Sequence, residues 1–213
     1  MVGSVPSAVC SAAAAILTVP LPRRPLDPDD PADRIRGWYE NELGWPTVPG
    51  EPVRLLVGER FDVLDVPAEA GLAALRRLAP GSPVAVRGDR MRLLVAAGGA
   101  EEVPGILQWL EWGAVPLDLT AIGAGEIIEA PLPPPGGNQG RDPVPNRAGP
   151  VQGAAVWLRP PVAGCEAGAS LPTMSALGGV GGAPDLVRLV DTLATHCHRV
   201  RLRRASAQPL AFS

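Results

Sequence analysis

Between residues 53 and 130, short apolar runs occur in pairs, and a helical segment follows each of the first two pairs. The runs span 53–57 and 61–66, 83–87 and 91–95, and 117–122 and 126–130. The helical segments span 68–78 and 103–112. This β-β-α-β-β-α-β-β order favours hairpins joined by helices, because consecutive elements tend to lie side by side. We therefore expect an α/β (α+β) domain with helices packed against a largely antiparallel sheet.

Glycine and proline, 25 and 26 of the 213 residues, fall mostly outside that pattern. Their clusters predict a flexible leader over 1–31, a flexible loop over 131–150, a Gly/Pro-rich linker over 161–183 and a tail over 205–213. A last strand is predicted over 154–158. Before the first strand, Asp30 and Pro31 are typical of a helix start, and Gly44 is typical of a helix end.

The segment 184–204 is predicted to be an added C-terminal amphipathic helix. Its apolar side chains recur at helical spacing and form one stripe. These are Leu186, Leu189, Val190, Leu193, Cys197 and Val200. Cys197 is therefore interpreted as a small core residue. Its neighbours His196 and His198 do not suggest a metal site, because adjacent residues on a helix point about 100° apart.

All 19 basic residues are Arg, a bias typical of a G+C-rich genome such as that of an actinobacterium. The net charge of −3 excludes a chain that binds polyanions over its whole surface. Residues 185–204, however, hold five Arg and two Asp, a formal +3, so the remainder carries −6. We expect Arg199, Arg201, Arg203 and Arg204 to contact DNA or RNA phosphates or an acidic protein partner. The alternative is that these Arg only solubilise the helix.

Targeting and catalytic patterns are sparse. No basic residue precedes Arg23, and the apolar run 11–19 is too short to span a bilayer. We therefore expect a cytoplasmic protein with no membrane contact. No Gly-rich phosphate loop is found, and both His lie side by side in the terminal helix, which excludes a Ser/His/Asp triad. The remaining candidates are two carboxylates at strand ends, Asp65 and Asp118.

Four segments, taken in order, resemble the N-terminal primase–polymerase domain of bifunctional DNA primase/polymerases, a branch of the archaeo-eukaryotic primase superfamily. They are Gly44-Trp45-Pro46, the strand 61–66 after Leu56-Val57-Gly58, Leu117-Asp118-Leu119 with 125–133, and Val156-Trp157. The resemblance covers 32–160 and implies an RRM-like sheet. It also implies that Asp65 and Asp118 lie where the family holds divalent metals. Arg90 and Arg92 then fall near the position that contacts nucleotide phosphates.

The sequence departs from the family at the second metal-binding Asp, where Pro67 stands. Asp62 does not replace it, because an odd offset along a strand points to the opposite face. We expect a degenerate member, without nucleotidyl transfer, that retains nucleotide or nucleic-acid affinity. No cofactor is expected, since Mg²⁺ or Mn²⁺ would matter only if the activity survived. The incomplete catalytic set favours a protein that is not an enzyme, and the alternative is a protein-interaction or regulatory scaffold.

Two smaller expectations concern single residues. Asp65 is predicted to cap the helix that begins near Pro67, since carboxylates accept hydrogen bonds from the first turn. Trp109 and Trp112, three apart on a helix, are predicted to pack in the core.

Overall fold

The computed structural model describes residues 27, 29–134, 153–162, 170–174 and 185–206. The strands are β1 Thr47–Val48, β2 Arg54–Leu56, β3 Asp62–Pro67, β4 Val84–Arg87, β5 Arg90–Val95, β6 Thr120–Ile122, β7 Ile127–Glu129 and β8 Val156–Arg159. The α-helices are α1 Pro31–Gly37, α2 Ala68–Ala74, α3 Gly99–Trp109 and α4 Leu186–Ser206. Each corresponds to a segment that the sequence pattern indicates, except the short β1. The helix predicted at 103–112 begins four residues earlier.

The larger sheet has five strands in the order β6-β3-β5-β4-β8, and every neighbouring pair is antiparallel. The segment from β3 to β6 follows the order β-α-β-β-α-β, the split βαβ arrangement of RRM-like sheets. The two-residue loop Gly88-Asp89 joins β4 to β5 as the predicted hairpin. The antiparallel α+β class with a C-terminal helix is therefore confirmed.

The other two predicted strand pairs do not form hairpins. β2 and β7 belong to a second, three-stranded antiparallel sheet in the order β1-β2-β7, whereas β3 and β6 belong to the five-stranded sheet. The chain crosses between the sheets at Gly58 and again near Gly125, both at positive φ. A Cβ on Gly58 would lie 2.2 Å from the Cα of Ala124, so only glycine fits this close approach. The two strands on either side of each of these glycines therefore pair in different sheets.

Helices α2, α3 and α4 cover one face of the five-stranded sheet, the helix side, and the other face carries an aromatic core. On the helix side, the predicted stripe of α4, including Cys197, is buried as expected. On the opposite side, the buried aromatic residues are Trp38, Tyr39, Trp45 and Phe61. The hydroxyl of Tyr39 donates to the carbonyl of Pro131 at 2.6 Å and accepts from Trp157 Nε1 at 3.0 Å. This aromatic core holds the N-terminal helix and the small sheet against the large one.

The predicted core position of Trp109 is wrong, since its side chain is 75% exposed. Leu72 of α2 is also 57% exposed. Helix α2 instead buries Ala70, Gly71 and Ala74, because Gly71 lies against Met91 of β5 and a Cβ there would approach the Met91 Cβ to 2.8 Å. The small residues of α2 allow this close contact and turn its leucine outward. Trp112, the other tryptophan predicted to pack in the core, is half-buried.

Part of the predicted linker 161–183 packs into the domain. Leu171 is fully buried, the amide of Ala96 donates to the carbonyl of Pro172 at 2.9 Å, and Ser82 Oγ donates to the carbonyl of Ser170 at 2.5 Å. Residues 170–174 are therefore part of the fold. The predicted leader before residue 27, and the stretches 135–152, 163–169, 175–184 and 207–213, lie outside the described residues. Among the helices described, none is both long and apolar enough to cross a membrane.

Candidate functional site

The two predicted carboxylates are brought to one edge of the aromatic-side face by the pairing of β3, β5 and β6. Asp65 lies opposite Arg92 of β5 and opposite Thr120 of β6, and Asp118 comes two residues before Thr120. Arg90 lies opposite Pro67, on the same face as Asp65, because residues two apart on a strand share a face. Four of the predicted site residues therefore form one cluster.

The guanidinium of Arg90 lies between the two carboxylates. Its Nε is 2.6 Å from Asp65 Oδ1, and its Nη1 is 2.5 Å from Asp118 Oδ1. A third bond runs from Nη2 to the backbone carbonyl of Asp65 at 3.0 Å. Burial alone would lower the pKa of Arg90, but the hydrogen bonds to Asp118 and Asp65 outweigh burial and raise it. Arg90 is thus a fixed positive charge that joins β5 to β3 and to the start of β6.

The other two carboxylate oxygens are also contacted by arginines. Arg92 Nε donates to Asp65 Oδ2 at 3.0 Å, and Arg92 Nη1 reaches the carbonyl of Glu129 in β7 at 3.5 Å. Arg204, from the end of α4, places Nη1 3.6 Å from Asp118 Oδ2. All four oxygens of Asp65 and Asp118 therefore face guanidinium groups. Arg90 and Arg92, which were predicted to bind nucleotide phosphates, are paired with these carboxylates in the structure.

This donor set does not fit the divalent metal that the family resemblance implies. Mg²⁺ and Mn²⁺ require oxygen ligands that are free to coordinate, and they are disfavoured next to guanidinium groups. Pro67 supplies no third carboxylate, and Asp62 points to the helix side of the sheet, where its Oδ2 accepts from the amide of Ala100 at 2.9 Å. Within the described ranges, no three His, Cys, Asp or Glu side chains come together as a metal site.

The predicted capping role of Asp65 is wrong. Helix α2 begins after Pro67 with no side-chain hydrogen bond to its first turn. The Asp of β3 that does contact a helix start is Asp62, through its bond to Ala100 in the first turn of α3. Burial raises the pKa of Asp62, and hydrogen bonds from the amides of Ala100 and Gly98 partly oppose that effect. The local pattern Asp65-x-Pro67 suggested a cap for α2. The structure instead has a capping contact at α3, between Asp62 and Ala100, which are 38 residues apart.

The four predicted arginines of α4 separate onto two sides of the helix. Arg201 Nη1 donates to the carbonyl of Pro116 at 2.5 Å, and Arg204 also lies 3.7 Å from Asp89. These two arginines therefore fasten α4 to the end of the sheet. On the other side, Arg203 pairs with Glu69 of α2 at 2.5 Å. Arg199 is exposed and forms no ion pair with any residue that the structure describes.

A shallow groove of about 510 Å³ follows this second side of α4 and is lined by His196, Arg199, Leu202 and Arg203. Burial lowers the pKa of His196, and the positive charges of Arg199, Arg76 and Arg203 lower it further. His196 and Arg76 were not predicted as site residues. The spacing 196, 199 and 203 along one helix face was the available signal, because residues three, four and seven apart lie on the same side.

No protein-family model, curated protein or solved structure matches this chain. Fold and site together define its class as an RRM-like α+β domain whose facing carboxylates are neutralised by arginines.

Proposed function

We propose that this chain is a non-catalytic relative of the primase–polymerase domains and that it binds nucleic acid without extending it. The observation that carries the proposal is Arg90, which bridges Asp65 and Asp118 where the resembled enzymes hold metal ions. The antiparallel strand order of the larger sheet supports the relationship. The guanidinium groups around both carboxylates favour loss of nucleotidyl transfer, which requires metal-bound phosphates.

Nucleic-acid binding is supported by the position of the exposed positive charge. On the sheet face opposite helices α2 to α4, the described residues Trp38, Tyr39, Trp45 and Phe61 are buried, so their rings are not available for bases to stack on. Arg199 and Arg203 instead project from α4 on the surface of the domain. Such charges contact phosphates and carry little sequence information. The proposed activity is therefore binding that tolerates many nucleic-acid sequences. We propose the cytoplasm as its location.

Two assays on the full chain test the proposal. With a labelled primer–template, all four dNTPs and either Mg²⁺ or Mn²⁺, we expect no primer extension and no primer synthesis. We expect the same of Arg90→Ala, because removing the bridge does not supply the missing third carboxylate. Incorporation that disappears in Asp65→Ala would refute the loss of catalysis. In parallel, fluorescence anisotropy should detect binding of single-stranded DNA or RNA at about 50 mM salt, with affinity falling steeply as salt rises.

A second candidate, a protein-interaction or regulatory scaffold, is favoured by one observation. Trp109 ends α3 with three quarters of its surface exposed. Exposed Trp residues are enriched among the side chains that dominate protein–protein binding. Absence of binding to single- or double-stranded DNA or RNA at low salt would make this the leading function.

A further inference from the structure

The groove along α4 combines an open space with an excess of positive charge. Its lining residues His196, Arg199 and Arg203 share one side of the helix, and Leu202 is exposed beside them. Helix α2 lies next to this side of α4, where Glu69 pairs with Arg203. The charge of Arg76 in that turn also acts on His196. Three guanidinium groups therefore act on His196, and among the described residues one of them, Arg203, is paired with a carboxylate.

The two sides of α4 differ in how their arginines are satisfied. Arg201 donates to the carbonyl of Pro116, and the charge of Arg204 is paired with Asp118 and Asp89, so both side chains contact the domain itself. On the groove side, Arg199 has no carboxylate or carbonyl partner among the described residues, and Arg203 pairs with one exposed carboxylate, that of Glu69. Arg199 on the groove side is therefore free to contact a ligand, whereas both arginines of the other side already contact the domain.

We infer that this groove is an anion site that takes the phosphodiester backbone of a nucleic acid, with Arg199 as its central contact. The inference rests on the proposed function and assigns its binding surface. Guanidinium groups suit phosphate oxygens because their donors lie in one plane and form paired hydrogen bonds. A groove lined by helix side chains and open to solvent also suits a ligand that is long rather than enclosed.

His196 makes the site sensitive to pH. The arginines whose charges act on it are Arg199 and Arg203 from α4 and Arg76 from the turn after α2. Glu69 of α2 pairs with Arg203, and Arg77 of the same turn donates to Thr192, so both also contact α4. Without ligand, burial and these arginines hold the imidazole neutral at neutral pH. A bound phosphate offsets their charge and raises the His196 pKa, so binding takes up a proton. Affinity should therefore rise as pH falls.

The test measures anisotropy of a labelled single-stranded DNA with the full chain at about 50 mM salt, from about pH 5.5 to pH 8, where phosphodiesters do not titrate. Arg199→Glu should weaken binding at least about tenfold and reduce the slope of log affinity against log salt by about one. The matched control is Arg188→Glu, with the same charge change on the same helix about 16 Å along its axis. His196→Gln should retain affinity at pH 8 and lose the gain at acidic pH.

Unchanged melting temperatures of all three variants would show that the domain stays folded, as expected for exposed or half-buried positions. Binding by the wild type with equal losses in Arg199→Glu and Arg188→Glu would overturn the groove while leaving the proposed function standing. No binding of any nucleic acid by the wild type would overturn the proposed function itself. Polyglutamate of matched charge that competes as well as DNA would overturn the phosphodiester ligand and indicate an acidic protein instead.

Discussion

At Asp65, a carboxylate that the sequence marks as a metal ligand or a helix cap is instead the centre of an ion-pair cluster. Its two oxygens bind Arg90 and Arg92, and both Asp65 and Arg92 are buried. Burying a charge is costly unless it is paired and hydrogen-bonded. The residues therefore depend on one another, and removing one leaves the others without compensation.

This dependence predicts that Asp65→Asn is nearly as destabilising as Asp65→Ala. Each should lower the free energy of unfolding by about 2 kcal/mol, because Arg92 is left buried without its carboxylate. Urea denaturation at neutral pH measures both. Asp89→Asn, which weakens only an exposed pair with Arg204, serves as control and should cost less than about 0.5 kcal/mol. Recovery of wild-type stability by Asn alone would instead indicate a capping role for Asp65.

The buried carboxyl group of Asp62 predicts that the stability of the fold depends on pH. Because burial raises its pKa in the folded state, the folded protein binds more protons than the unfolded protein between the ordinary carboxyl value and the raised one. Its contribution to stability therefore falls as pH rises through that window and stays lower above it. Asp62→Asn keeps an acceptor for Ala100 and removes the titration, so it should gain stability relative to the wild type from about pH 4 to pH 7. Parallel urea midpoints for the two proteins across that range would contradict this assignment.

At the scale of elements, α4 is fixed by its apolar stripe on one side and by arginines at its last turns. Leu186, Leu193 and Val200 are buried against the sheet and α2, whereas Leu202 is more than half exposed. Its amphipathic pattern alone predicted this orientation. Helix α2 instead leaves Leu72 exposed, because small residues such as Gly71 make its closest contact with β5.

Two identical substitutions within α4 test this orientation. Leu193→Ala should lower the free energy of unfolding by about 3 kcal/mol, since it opens a cavity in the helix-side core. Leu202→Ala should change it by less than about 0.5 kcal/mol, since that side chain already contacts water. Thermal or urea unfolding distinguishes the two. Similar losses in both variants would mean that the end of α4 packs differently.

For the whole molecule, two sheets and two cores are held together where the chain crosses from one sheet to the other. Gly58, between β2 and β3, touches Ala124, between β6 and β7. The amide of Val57 donates to Glu126 at 2.9 Å, and that of Gly125 donates to Val57 at 3.3 Å. Both crossings are therefore joined to each other, which couples the aromatic core to the helix-side core.

Gly58→Ala should accordingly destabilise the whole domain, by more than about 3 kcal/mol, through steric overlap and positive φ together. The control is Gly88→Ala in the β4–β5 turn, which also has positive φ but meets no atom within 4 Å. It should cost only about 1 kcal/mol. Far-UV and near-UV circular dichroism should give coincident unfolding transitions in each variant. Equal costs at the two glycines would show that the contact with Ala124 is not a tight one.

The sequence alone determined those features that depend on neighbours along the chain. The apolar runs located the strands, Asp30 and Gly44 marked the ends of the first helical segment, and the stripe of α4 gave its buried side. Periodicity, caps and turns act within a few residues, so they can be read locally. The same reasoning placed Asp62 and Asp65 on opposite faces of one strand.

Only the tertiary structure decided which sheet each strand joined and which charges met. β2 and β3 adjoin in sequence but pair with different strands, because the close approach of Gly58 to Ala124 depends on residues far apart in the chain. Arg90 reaches Asp65 across 25 residues and Asp118 across 28. Coulomb and hydrogen-bond energies depend on distance through space and on burial, neither of which sequence spacing contains. Only the fold therefore shows that arginines pair with the two carboxylates of the predicted metal site.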